Sequence, residues 1–115
     1  KLLPNTMLVD VRPAAGRRRF CFRVMGQVHV DVAGGNFTGC FMDEVYAIQS
    51  DQGYVLDCYE AVAERRRPHF WDRQFIDQSK NGLIYERVLL PLASDGQQVD
   101  MLMSFAAILK GPDNP

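Results

Sequence analysis

The chain has little of what commits a sequence to one chemistry. It holds three cysteines in 115 residues, Cys21, Cys40 and Cys58. The number is odd and no pair has the spacing of a metal hook, so neither a disulfide framework nor a zinc module is indicated. Buried thiols in a reducing compartment are expected, and with them a cytoplasmic location. There are two histidines, and a metal centre built on them needs a third ligand that no motif supplies. No apolar run reaches the length of a membrane-spanning helix, and no signal-peptide pattern is visible. The formal net charge is −1, without the basic excess that general nucleic-acid binding wants.

What is present suits one folded domain. At 47% hydrophobic residues the chain can bury a core and is not expected to be disordered. Two basic runs stand out, Arg17-Arg18-Arg19 and Arg65-Arg66-Arg67. Without interleaved aromatics they read as a solvated loop and a solvated helix end rather than a single-strand binder.

Along the chain, Met7, Val9 and Val11 alternate with Leu8, Asp10 and Arg12, which predicts a short first strand. The run from Arg19 to Val32 alternates more clearly and predicts a second strand. Phe20, Phe22, Val24, Val28, Val30 and Val32 fall on one face, with Arg23, Met25, His29 and Asp31 on the other and Gly26 as a bend or bulge. A hairpin around residues 13 to 18 would join the two. Glycines at 34, 35 and 39 mark loops and do not form a dinucleotide fingerprint. A short helix is expected near residues 42 to 48.

The best helix holds Val55, Cys58, Tyr59 and Val62 as an apolar stripe, with Asp57, Glu60 and Glu64 opposite. Ser50 or Asp51 would cap it, with the Gly53 region as an alternative boundary, its arginines suit the C-terminal dipole, and Pro68 stops it. Three strands come after it: the aromatic-rich run at residues 68 to 76, residues 83 to 93, and residues 99 to 109. Ser94-Asp95-Gly96 turns between the last two. In the last strand Val99, Met101, Met103, Phe105, Ala107 and Leu109 share a face. The expected class is α+β: a five-stranded antiparallel sheet with helices inserted between strands two and three.

That order resembles the PAS fold. Three phrases carry a closer resemblance to a PAS-like family frequent in alphaproteobacteria. Arg19, Phe20, Phe22, Arg23 and Gly26 match an R-F-x-Y-R-x-x-G phrase, with Phe22 at the tyrosine. Asn36, Thr38, Gly39, Asp43 and Glu44 match D-x-T-G-x-x-x-D-E, with Asn36 in place of the acid. Glu86, Arg87, Leu90, Pro91, Leu92, Asp95 and Gly96 match E-R-x-x-L-P-L-x-x-D-G. The likeness covers nearly the whole chain. It implies a single PAS-like domain over residues 1 to 115, with a tail at residues 110 to 115 and without the N-terminal segment that family members usually carry. It also implies a sensory or protein-interaction role in signal transduction.

The residues add candidate sites. A pocket between sheet and helices would be lined by Phe22, Tyr46, Cys58, Tyr59, Trp71 and Met103, and would suit a small organic ligand. The same side chains would also serve simply as core. Glu86 and Arg87 point to opposite faces of one strand. A buried Glu86 would need a partner, with Arg23 or Arg73 as the candidates. Pro91 fits an edge or a bulge. His29 is expected on the surface or at an interface, and His69 in packing or hydrogen bonding. No resident cofactor is expected: the long helix has no histidine for haem, and Asn36 and Cys40 do not form a flavin photochemical motif.

The leading expectation is a non-enzymatic module that self-associates, or docks another signalling protein, through mixed residues such as Met25, Phe75 and Met101. Partnership with nucleic acid or membrane is not expected. The alternative is a small α+β enzyme, an isomerase or hydratase, using Asp43, Glu44, Asp57 or Glu86 as a base of raised pKa in a cone-like pocket.

Overall fold

The computed structural model describes residues 3–48, 53–75 and 83–110, and only the backbone at 14, 47–48, 53–54, 71–75, 83–85 and 109–110. A 3-10 turn, Leu3–Asn5, leads into β1 (Thr6–Ala14) and β2 (Arg17–Met25). Helices α1 (Gln27–Ala33), α2 (Met42–Ile48) and α3 (Gly53–Arg65) come next. Then come β3 (His69–Phe75), β4 (Leu83–Leu92) and β5 (Met101–Lys110). The strands form one sheet in the order β2-β1-β5-β4-β3, and every neighbouring pair is antiparallel. This is the α+β arrangement expected from the sequence, with the helices between strands two and three.

The second strand is shorter than its alternation predicted. It stops at Met25, and Val28, Val30 and Val32 belong to α1. Gly26 explains the break. It is the N-cap of α1, with φ −69° and ψ 164°. Its N–H donates to the Thr6 carbonyl at 2.8 Å, and its own carbonyl accepts from Val30 N–H at 3.0 Å. A Cβ here would lie 2.2 Å from the Leu3 carbonyl oxygen. The N-terminal turn therefore crosses directly over Gly26 and blocks continuation of the strand. Within α1 the sequence pattern becomes helical: Val30 and Ala33 pack against the core, and Gln27 bonds Asp31 at 2.8 Å.

A bulge corrects a second expectation. Leu8 pairs with Val24 and Val9 with Phe22, so Arg23 is the extra residue. One inserted residue inverts the facing of the strand beyond it. Phe20 and Phe22 face the helices, but Val24 turns outward, 42% exposed, and Met25 turns into the core. Met25 is therefore not available to an exposed interface.

The helices cover the face that carries Met7, Val9, Val11, Phe22, Leu89 and Leu102, all buried. From α3 come Val55, Tyr59, Val62 and Ala63, which is the predicted stripe except that Cys58 is only half-buried. The predicted caps Ser50 and Asp51 lie outside the described residues. Arg66 takes φ 58° just past the helix and leads to Pro68. On β5 the residues under the helices are Leu102, Ser104 and Ala106. Met101, Met103, Phe105 and Ala107 are on the opposite, outer face. They pair there across β1 and β4 with Asp10, Leu8, Leu90 and Val88.

The turn at residues 94–96 forms as predicted. Gly96 adopts φ 75° and donates to the Ala93 carbonyl at 3.1 Å, while the Asp95 carboxylate accepts from Gln97 and Gln98 N–H. Pro91 pairs with β5 on one side only, because the β3 ladder on the other side begins at Leu89. That is the edge-like position its missing donor requires.

Candidate functional site

Three features of the molecule have chemical content: a polar seam in the core, a groove beside α3, and the outer face of the sheet.

The seam begins at Arg87. Its neighbour Glu86 is half-buried on the outer face, and Arg87 lies on the helix-covered face, only 5% exposed. The sequence placed these two on opposite faces but looked to Glu86 as the buried member. It also expected Arg23 as the partner of Glu86. The structure corrects this: β1 and β5 separate the strands of the two residues, and Arg23 bonds Asp10 at 3.3 and 3.4 Å instead. The side chain of Arg73 lies outside the described residues.

The Arg87 guanidinium carbon stands 5.5 Å from the centre of the Tyr59 ring, within range for a cation–π contact. Ser104, from β5, is fully buried and bonds His29 Nε2 at 2.9 Å. His29, expected at the surface, is 7% exposed because α1 lays it against the sheet. Its Nδ1 is buried and has no hydrogen-bond partner among the described residues. Burial, and secondarily the charge of Arg87, push the His29 pKa down to about 4. The same two causes, in the same order, lower His69. The seam therefore combines a fixed positive charge with imidazoles held neutral at ordinary pH. It draws on α1, α3, β3, β4 and β5.

Around it the predicted pocket residues divide. Phe22 meets Tyr46 edge to face at 6.4 Å and Phe37 at 6.3 Å. Tyr59 meets Phe20 edge to face at 5.9 Å. Phe22 and Tyr59 are 1% and 2% exposed, so here they fill the core. Cys58 is half-buried on α3, and all three cysteines are free thiols. The Trp71 and Phe75 side chains lie outside the described residues. Met103 is on the outer face and cannot line the same space as Phe22. Sequence parity had grouped Met101 and Met103 on one face, yet Met103 was assigned to the pocket and Met101 to the interface; the structure puts both on the outer face. Ser104 carried the signal that settles it: a lone serine in phase with Leu102 and Ala106 needs a buried partner.

A groove of about 730 Å³ lies between the β1–β2 turn and α3, with Phe20, Leu56, Arg18, Asp57, Glu60 and Gln98 among its walls. Of the predicted pocket residues whose side chains are described, none lines it. Its charges face one another. Arg18 bridges Glu60 and Glu64. Arg19 bridges Asp43 at 3.0 Å and Glu44 at 3.3 Å and stacks 3.8 Å over the Phe41 ring. Arg19, the largest influence on Asp43, holds that carboxyl below its ordinary range. That is opposite to what a general base needs. Glu44 and Asp57 are exposed. Among the described residues no cluster of His, Cys, Asp and Glu is arranged to hold a metal ion, and no helix is long and apolar enough to cross a membrane.

The outer face carries Leu8, Val24, Val88, Leu90, Leu92, Met101, Met103 and Phe105 across four strands, with Phe70 on β3. Phe70 is 64% exposed and Leu92 38%.

No protein-family model and no curated protein matches the chain. Among solved structures it is similar to the PAS domain of BvgS from Bordetella pertussis. The TM-score is 0.61 at 18% identity, over 93% of this chain and 78% of that one. At that identity the likeness concerns the fold: the chain has the PAS-like α+β topology.

Proposed function

We propose that this chain is a PAS-like sensory or protein-interaction module that works by docking through the outer face of its sheet. The observation that carries the reading is the asymmetry of the sheet. One face is closed by three helices. The other is apolar along β5 and the Val88–Leu92 part of β4 and leaves Phe70, Val24 and Leu92 substantially exposed. Contiguous exposed apolar surface on a folded domain marks an interaction site. The partner is a second copy of the chain, in a homodimer, or another signalling protein. The free thiols support a reducing, cytoplasmic setting. The three sequence phrases support kinship with the PAS-like family frequent in alphaproteobacteria, and the single-domain reading of residues 1 to 115.

Sedimentation of the chain over a wide concentration series tests the dimer. A reversible dimer is expected, and Leu90→Glu or Phe105→Glu, both outward-facing, should disperse it with an unchanged circular dichroism spectrum. A dimer that survives both substitutions would overturn docking through this face. A strict monomer would overturn self-association.

The enzymatic alternative has less support. Asp43 is ion-paired, Glu44 and Asp57 are exposed, and Glu86 is on the outer face.

A further inference from the structure

Strand β2 lies at one end of the sheet, with β1 as its neighbour on the inner side. Among the described residues its other side is covered only in part. Phe22 N–H donates to the Cys40 carbonyl at 3.0 Å, and the Phe22 carbonyl accepts from Gly39 N–H at 2.7 Å. Cys21 and Phe41 form an antiparallel bridge there. The cover ends where α2 begins at Met42. In an antiparallel ladder the main-chain groups of successive residues point alternately to the two sides. Those of Phe22 point away from β1, so those of Arg18 do too. Pro13 agrees with this phase. It stands opposite Arg18, at a pair where the ladder asks for no N–H. The Arg18 N–H and carbonyl therefore face outward, and neither has a hydrogen-bond partner among the described residues. Such an edge is a template for an added strand.

The surroundings select what can be added. A second copy matches poorly, because pairing β2 with itself sets the arginines of residues 17–19 against one another. The groove beside α3 starts at this edge, and its walls include Arg17, Phe20, Leu56 and Asp57. Arg18 and Arg19 are each held by two carboxylates. Of the charges lining the groove, Arg17 and Asp57 are left without an ion pair among the described residues, and both are exposed. Arg18 is in phase with Phe20 and reaches α3, whereas Arg17 belongs to the alternate face. An added strand alternates in the same way. Its residue opposite Arg18 turns toward the groove, and the neighbour opposite Arg17 turns to the other face. A lysine at the first position can lay its stem along Leu56 and bring its ammonium to Asp57. A glutamate at the second meets Arg17 across the ladder.

We propose that the free edge of β2 at residues 17–19 binds an extended segment of a partner protein by strand addition, and that Asp57 and Arg17 read an adjacent lysine and glutamate in it. Main-chain hydrogen bonds at Arg18 hold the segment, and the two side-chain pairs set its register. The added strand continues toward the hairpin the cover that residues 39–41 begin. This surface is distinct from the outer face of the sheet.

The test is an amide NMR titration of the full chain with the capped peptide Thr-Val-Glu-Lys-Val-Thr. The Arg18 amide should shift and its exchange with solvent should slow. N-methylation of the peptide at its lysine removes the donor to the Arg18 carbonyl and should weaken binding about tenfold. Asp57→Asn should weaken the parent peptide about threefold and leave a norleucine-for-lysine peptide unaffected. Arg18→Pro deletes the edge donor without touching the ladder to β1 and should abolish binding. Arg18→Ala loses the ion pairs but keeps the donor, and should still bind. An N-methylated peptide that binds as tightly as the parent would overturn strand addition and leave charge attraction alone. Equal binding of a peptide with glutamate in place of lysine would overturn the reading by Asp57. An unresponsive Arg18 amide would overturn the site altogether. A dimer dispersed by Arg18→Pro but not by Leu90→Glu would replace the partner with a second copy. Docking through the outer face is judged separately by the sedimentation experiment.

Discussion

His29 carries an energetic cost that a surface histidine would not. Its pKa falls from an ordinary 6.5 to about 4 in the folded chain. Between those values the unfolded chain binds the proton and the folded chain does not. Stability is therefore fully present above pH 6.5, declines as pH falls, and stops declining near pH 4. The loss is roughly 3 kcal/mol for this residue. His69 is shifted in the same direction and adds to the slope. Denaturant melts at pH 7 and pH 4 should show the loss in the wild type and a clearly smaller one in His29→Gln. Identical pH slopes would refute the account. Gly26 poses a steric constraint of another kind. An alanine there meets carbonyl oxygens of Leu3 and Pro4 at 2.2 and 2.6 Å, and backbone cannot yield as a side chain can. Gly26→Ala should cost about 1–3 kcal/mol as an overpacking change, read as a lower denaturation midpoint. A neutral result would mean that the turn at Leu3 is not held against Gly26.

The elements differ in how far they can be read from sequence. α3 declares itself through Val55, Tyr59 and Val62 at helical spacing, and β5 through strict alternation. α1 does not. Val28, Val30 and Val32 alternate as a strand does, and a run of β-branched residues has good strand propensity. What makes it a helix is a long-range event, the passage of Leu3 and Pro4 over Gly26, which no local window contains. The bulge at Arg23 is hidden for the same reason, since only pairing with β1 reveals an extra residue. Parity put Glu86 and Arg87 on opposite faces without saying which face the helices would cover. The same ambiguity put Met103 among the pocket residues. Energetically, the elements are held by apolar contact more than by charge. Arg18 ties β2 to α3 through Glu60 and Glu64, yet 28% of its side chain remains in solvent. Arg18→Ala should therefore cost at most about 1 kcal/mol. Leu102→Ala, at the fully buried centre of β5, should cost about 2–5 kcal/mol. Urea titrations of the two variants decide the order, and a larger loss for Arg18 would reverse it.

For the whole molecule, the order of elements and the β1–β2 and β4–β5 neighbour pairs were legible, and the full strand order was not. Two strands, helices and three strands specify an α+β domain. The central place of β5, between β1 and β4, comes from tertiary packing. That placement gives the two faces of β5 different duties. Inward, Leu102, Ser104 and Ala106 close against helices; outward, Met101, Met103 and Phe105 stay available to a partner. The joint at Gly26 has a mechanical consequence. The segment entering the domain rests on the first residue of the helix layer, and α1 and the Leu3–Asn5 turn pack together. A pull on the backbone at Leu3 is thus delivered to the start of α1 before it reaches the rest of the fold. In single-molecule extension from the N-terminal side, α1 should be the first helix to give way, acting as a lever whose short arm carries His29.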